Sequence, residues 1–107
     1  MPDYELTPGA ESNLLDIALY TLENHGLRQT DIYEAALERN FKGINSGETR
    51  TRVVFDHWPE LRVSRCEHHY VFALLRDQDC PLIVGVFQEM MDLMTRLRER
   101  LDLEGEG

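Results

Sequence analysis

The chain has 107 residues, 42% of them hydrophobic, and a formal net charge of −9 at pH 7. That length fits one domain with one modest core, and the negative balance excludes a protein that lives wrapped on nucleic acid, where Lys and Arg must neutralise phosphates. Cys66 and Cys80 lack CxxC spacing, which excludes a zinc ribbon or a disulfide scaffold.

The charge is uneven. Residues 1–40 carry eight acids against Arg28 and Arg39, a net of −6, whereas residues 50–76 carry five arginines against Asp56, Glu60 and Glu67, a net of +2. Lys42 is the only lysine. No apolar run approaches the ~20 residues of a membrane span, and the first residues lack the basic start and apolar core of a signal peptide. A cytoplasmic protein with reduced thiols is expected.

In chain order, Tyr4 to Leu6 is a short strand, Thr7 a helix N-cap and Pro8 the first helical residue, where a missing N–H costs nothing. Ala10, Leu14, Ile17, Ala18 and Leu22 recur at helical spacing, with Glu11 and Asp16 early, where the helix dipole favours acids. Gly26 ends this helix as a left-handed C-terminal residue. A second stripe of Tyr33, Ala36, Leu37, Asn40, Phe41 and Ile44 follows almost at once and stops near Asn45-Ser46-Gly47, which predicts an antiparallel helical hairpin.

Glu48 to Pro59 reads as polar and irregular, with Val53, Val54, Phe55 and Trp58 as anchors against the core. From Leu61 the period becomes two. Leu61 to Cys66, His69 to Leu75 and Leu82 to Phe87 are three strands joined by turns at Glu67-His68 and Asp77 to Pro81, an antiparallel meander. Met90, Leu93, Met94, Leu97 and Leu101 give a terminal helix, and residues 104–107 a frayed tail after a single domain over 1–103.

The ordered set Tyr4, Leu6, Thr7, Pro8, Ala10, Glu11, Leu14, Tyr20, Gly26, Tyr33 and Phe41, then Leu61, Arg62, Arg65, His69, Val71, Phe72, Ile83, Val84, Val86, Glu89, Met91, Asp92 and Leu93, resembles the RelE/ParE toxin superfamily over nearly the whole chain. These residues favour the ParE branch. The resemblance implies an α+β fold, with an N-terminal strand and helical hairpin packed on a small antiparallel sheet and a C-terminal helix. It also implies a non-enzymatic toxin that poisons DNA gyrase, and neutralisation by a ParD-type antitoxin. Such antitoxins pair a DNA-binding ribbon-helix-helix half with a segment that folds on the toxin. The resulting hetero-oligomer touches operator DNA through the antitoxin, so the toxin needs no nucleic-acid surface, membrane anchor, cofactor or metal of its own.

The chain departs from the family pattern in its second half. Where such toxins usually read Gly-Arg-His, it has Glu67-His68-His69; Phe-Tyr-Arg is Phe72-Ala73-Leu74, an arginine of the last strand is Gly85, and His-x-Arg-Met is Gln88-Glu89-Met90-Met91. One alternative is a RelE-like ribosome-dependent mRNA endoribonuclease, which needs a base, an acid and cations around the scissile phosphate. A single lysine and a charge of −9 oppose it. The other is a toxin fold that retains only antitoxin binding and operon regulation.

Arg62, Arg65, His69, Trp58, Met90 and Met91 are the candidate partner-binding residues. Arg62 and Arg65 suit either a clamp for an acidic partner or a solvated strand edge, and the methionines either an adaptable surface or core packing. His68 and His69, adjacent on a strand, point to opposite faces and make a poor metal site. Ser64, Cys66 and His69 resemble a nucleophile and base, but an unbroken strand would put His69 on the face opposite Ser64 and Cys66, and no acid is placed to orient it. No catalytic residue is expected.

Overall fold

The computed structural model describes residues 2–88 together with Glu99. Its elements are β1 (Glu5–Leu6), α1 (Pro8–Ser46), β2 (Arg52–Phe55), β3 (Trp58–Cys66), β4 (His69–Leu74) and β5 (Leu82–Phe87). They form an α+β fold with one long, bent helix on a five-stranded sheet of order β1-β5-β4-β3-β2. The predicted terminal helix, with Met90 and Met91, lies outside the described residues.

Thr7 starts α1 as its sequence context predicts. Its backbone is extended, its hydroxyl oxygen accepts from the Ala10 N–H at 3.1 Å, and the same hydroxyl lies 3.4 Å from the Val84 carbonyl of β5. The Thr7 N–H also donates to the Ile83 carbonyl at 3.1 Å. One residue therefore caps the helix and locks it to the sheet beside the parallel β1–β5 pairing.

The two helical runs expected on either side of Gly26 meet there directly and form a single bent element, with no separate loop between them. α1 is one 39-residue element, non-helical only at Gly26. At ~1.5 Å per residue it would run ~58 Å if straight, well beyond the 41 Å longest extent of the molecule. The bend needs no loop because Gly26, at φ 87° and ψ 172°, occupies a region open essentially to glycine alone. Leu14 and Ile17 of the first arm and Leu37 and Phe41 of the second line one small cavity with Tyr4. Gly47, at φ 87°, then caps the C-terminus by donating to the Gly43 carbonyl.

The sheet is larger than the predicted three-strand meander, and it is mixed rather than purely antiparallel. The stretch read as irregular contains β2 and the start of β3, which reaches back to Trp58. A register shift between Val53 and Phe55 explains why no period-two pattern is visible there. Pro59 is tolerated because it is the second residue of β3, where the ladder begins.

Both faces of the sheet are apolar. Val71, Ala73, Ile83 and Val86 pack under Ala10, Leu37, Phe41 and Ile44, while Leu61, Val63, Phe72 and Phe87 form a second cluster on the far face. The central strand β4 is covered on both sides, hence its nearly unbroken apolar run. Leu22, expected on the core stripe, is 45% exposed, because Thr21 takes the inward position and is buried.

Gly26→Ala is expected to lower stability by about 1–3 kcal/mol, the usual cost of a non-glycine residue in so restricted a region. Thermal denaturation of the variant measures this, and an unchanged midpoint would show that the bend tolerates an ordinary residue.

Candidate functional site

Four side-chain contacts clip α1 to the sheet. Asn13 Oδ1 accepts from the Val86 N–H at 3.3 Å, Asn40 Oδ1 accepts from the Ser64 hydroxyl at 3.2 Å, and the Cys66 thiol donates to the Ala36 carbonyl at 3.5 Å. Tyr33 and His69 make the fourth, ring edge to face. The Tyr33 oxygen accepts from the His68 N–H, and the same hydroxyl pairs with Nδ1 of His69.

This geometry corrects the expected placement of His69. The turn at Glu67, which has φ 54°, reverses the chain so that His69 pairs directly with Cys66 and lies on the same, helix-facing side. The grouping of Ser64, Cys66 and His69 on one face nevertheless makes no nucleophilic site. Ser64 is committed to Asn40, Cys66 to Ala36 and His69 to Tyr33, and burial raises the Cys66 thiol pKa, which disfavours the thiolate.

Beside the Tyr33–His69 pair opens a cleft of about 640 Å³. Its walls are the two arms of α1 around the bend (Asp16, Tyr20, His25, Gln29), the β3–β4 turn (His68) and the end of β5 (Gln88). Three histidines and one acid line it, and among the described residues no Lys or Arg does. The sequence reading missed Tyr20, His25 and Gln29 as site residues, since only the bend brings them opposite His68.

The candidate partner-binding residues do not converge. Arg65 lies on the far face, with its guanidinium 5.5 Å from the centroid of the Tyr70 ring, and Trp58, at the opposite end of β3, packs against the Leu61–Phe72 cluster. Arg62 falls on the helix side by strand alternation, its Nε donating to the Pro59 carbonyl at 2.9 Å. His69 is in the cleft wall. Met90 and Met91 lie outside the described residues.

Among the described residues, His68 and His69 belong to no metal-type cluster. Among the described residues the one such grouping is Glu5, Asp79 and Cys80, and a cation already serves it. The Arg76 guanidinium contacts Glu5 at 3.3 Å, Asp79 at 3.6 Å and the Cys80 carbonyl at 2.7 Å.

A second surface lies on the outer side of the first helical arm. Leu15, Leu19 and Leu22, spaced i, i+4, i+7, are 60%, 50% and 45% exposed, and Leu27 just past the bend is 67% exposed. A second apolar stripe on one helix was hidden in the sequence because the core stripe overlaps it in spacing. No described helix is long and apolar enough to cross a membrane.

Three comparisons bear on these features. The family described as "ParE toxin of type II toxin-antitoxin system, parDE" matches residues 4–93. A toxin ParE from Escherichia coli is 43% identical over 101 residues, covering 94% of this chain and 98% of that protein. A solved chain described as "Chromosomal ParDE TA system from P. aeruginosa" superposes with a TM-score of 0.65 at 13% identity, covering 82% of this chain and 96% of its own, a likeness of fold.

Burial lowers the His69 pKa and, as the largest effect, pushes that of Tyr33 up to about 12. Because the folded-state His69 pKa lies below the ordinary 6.5, its contribution to stability is complete above pH 6.5 and is lost as pH falls through the folded value. Urea unfolding from pH 8 to pH 5 should show a decline that His69→Gln reduces. Equal slopes would remove His69 as its source. Tyr33→Phe at pH 8 should cost about 1 kcal/mol in the same urea titration, by leaving Nδ1 without its partner.

Proposed function

This chain belongs to the ParE toxin family of type II toxin-antitoxin systems, and on that footing we propose that it inhibits DNA gyrase and is neutralised by a ParD-type antitoxin. The observation that carries the reading is the match across residues 4–93, which spans every described strand and both helical arms. The toxin acts by binding, in the cytoplasm, and is held inactive in a toxin-antitoxin hetero-oligomer.

The chemistry of the cleft supports binding over catalysis. RNA cleavage through an adjacent 2′-hydroxyl needs a cation beside the developing phosphorane charge, and the cleft wall offers no Lys or Arg among the described residues. Its inner histidine is held by Tyr33, and burial favours the neutral form. The departures from the family pattern at Ala73 and Gly85 fall on buried strand positions, where they serve packing rather than contact.

Arg62, Arg65, Trp58 and His69 remain the proposed contacts, divided between two faces. Arg65, Trp58 and Tyr70 on the far face suit the target, because Arg65 belongs to the net-basic segment and its guanidinium lies over an aromatic ring, the posture of an interface anchor.

Expression of the chain alone should inhibit growth, with filamentous cells and a DNA-damage response, and the purified protein should block supercoiling by gyrase. Prompt translational arrest with cleaved messages would transfer the assignment to a nuclease, and normal growth to a toxin fold that has kept only antitoxin binding. Arg65→Ala should weaken gyrase inhibition about tenfold, the scale of a 1–2 kcal/mol contact. Unchanged inhibition would make it a solvated charge.

A further inference from the structure

We propose that the outer leucine stripe of α1 is a docking surface for a basic amphipathic helix, and that the antitoxin segment seated there presents Lys or Arg on both sides of its own apolar seam. This rests on the toxin-antitoxin reading above and specifies the chemistry of the partner.

The stripe is a face, not a scatter of single leucines. At about 100° per residue, Leu15, Leu19 and Leu22 fall within an arc of roughly 60°. The inward side of the same arm is already filled by Ala10, Asn13 and Thr21, all buried. So much contiguous apolar surface opposite a satisfied core marks an interaction site, and the i, i+4, i+7 spacing is the one by which helices pack on helices.

Charge identifies the occupant. Glu11 and Glu23 border the stripe on its two sides and Asp16 follows Glu23 around the helix, while no Lys or Arg occurs from Pro8 to Gly26. The acids have no ion-pair partner among the described residues, where Lys42 is taken by Glu38 and Arg76 by Glu5 and Asp79. An apolar seam with acidic rims is complementary to an apolar seam with basic rims. A second copy of this chain is disfavoured by the same rims, since antiparallel pairing of two stripes sets Glu23 and Asp16 of one copy against Asp16 and Glu23 of the other. Acidic segments are disfavoured for the same reason.

The test uses the full chain and the protein encoded by the reading frame adjoining its own, with affinity measured by calorimetry from 50 to 500 mM NaCl. Leu15→Ala/Leu19→Ala/Leu22→Ala alters exposed side chains only and keeps helix propensity, so wild-type thermal stability is its folding control. It should weaken binding at least tenfold. For the wild type, affinity should fall as salt rises, and Glu11→Gln/Asp16→Asn/Glu23→Gln should weaken binding at 50 mM and flatten that dependence.

If the adjoining protein binds with the same affinity whichever variant is used, the stripe proposal is wrong while the toxin-antitoxin reading stands. If it binds no form of the chain, the toxin-antitoxin reading fails first. Affinity that rises with salt would overturn the basic-rim assignment. A free chain that sediments as a dimer and becomes a monomer in the leucine variant would give the stripe to a second copy instead.

Discussion

A helix of 39 residues must cover a sheet in a molecule only 41 Å long, and one glycine makes that arithmetic work. The bend at Gly26 keeps both arms of α1 over the same face, so that Leu14 and Ile17 share a cavity with Leu37 and Phe41. The cleft follows from the same bend, because His25 and Gln29 flank it and face His68 and Gln88. Without the break, the second arm would leave the sheet and Tyr33 would never reach His69. The cleft is thus a by-product of how a long helix is folded back onto a small sheet.

The contacts between helix and sheet are unusually polar for a core this small. Asn13, Asn40 and Tyr33 sit on inward positions and each meets a defined group on the sheet. Apolar packing alone tolerates sliding of a helix over a sheet, whereas a buried polar group left unpaired costs 1–3 kcal/mol. These clips therefore set the register of the helix on the strands, while Leu15, Leu19 and Leu22 on its outer side stay 45–60% exposed. The chain combines a tightly indexed inner face with an apolar, acid-rimmed outer one, a division that suits a protein whose work is to be bound.

Several features were legible in the residues themselves. Thr7-Pro8 marked the helix start, Gly47 its end and Leu82 to Phe87 a strand, because each depends on local backbone chemistry. β2 was not legible: a four-residue edge strand with a register shift shows no alternation to read. Leu22 continues the core spacing of Ala10, Leu14 and Ile17, yet Thr21 faces inward and its hydroxyl donates to the Ile17 carbonyl at 2.7 Å. The pairing of Tyr33 with His69 had no sequence signal beyond an aromatic residue on an inward stripe.

The sequence by itself determined the α+β class, the ends of the helix, four of the five strands in outline and the acidic balance, all properties of neighbouring residues. Its resemblance to one toxin superfamily was legible on the same ground, as an ordered set of such local features. The tertiary structure alone decided that β1 lies parallel to β5, that His69 shares a face with Cys66, and that the Ala10–Thr21 side of the first arm is buried while its leucine stripe is exposed. The physical reason is that periodicity reports which side chains share a face of one element. Which face meets which partner depends on turns and register, and those join residues that stand far apart in the chain.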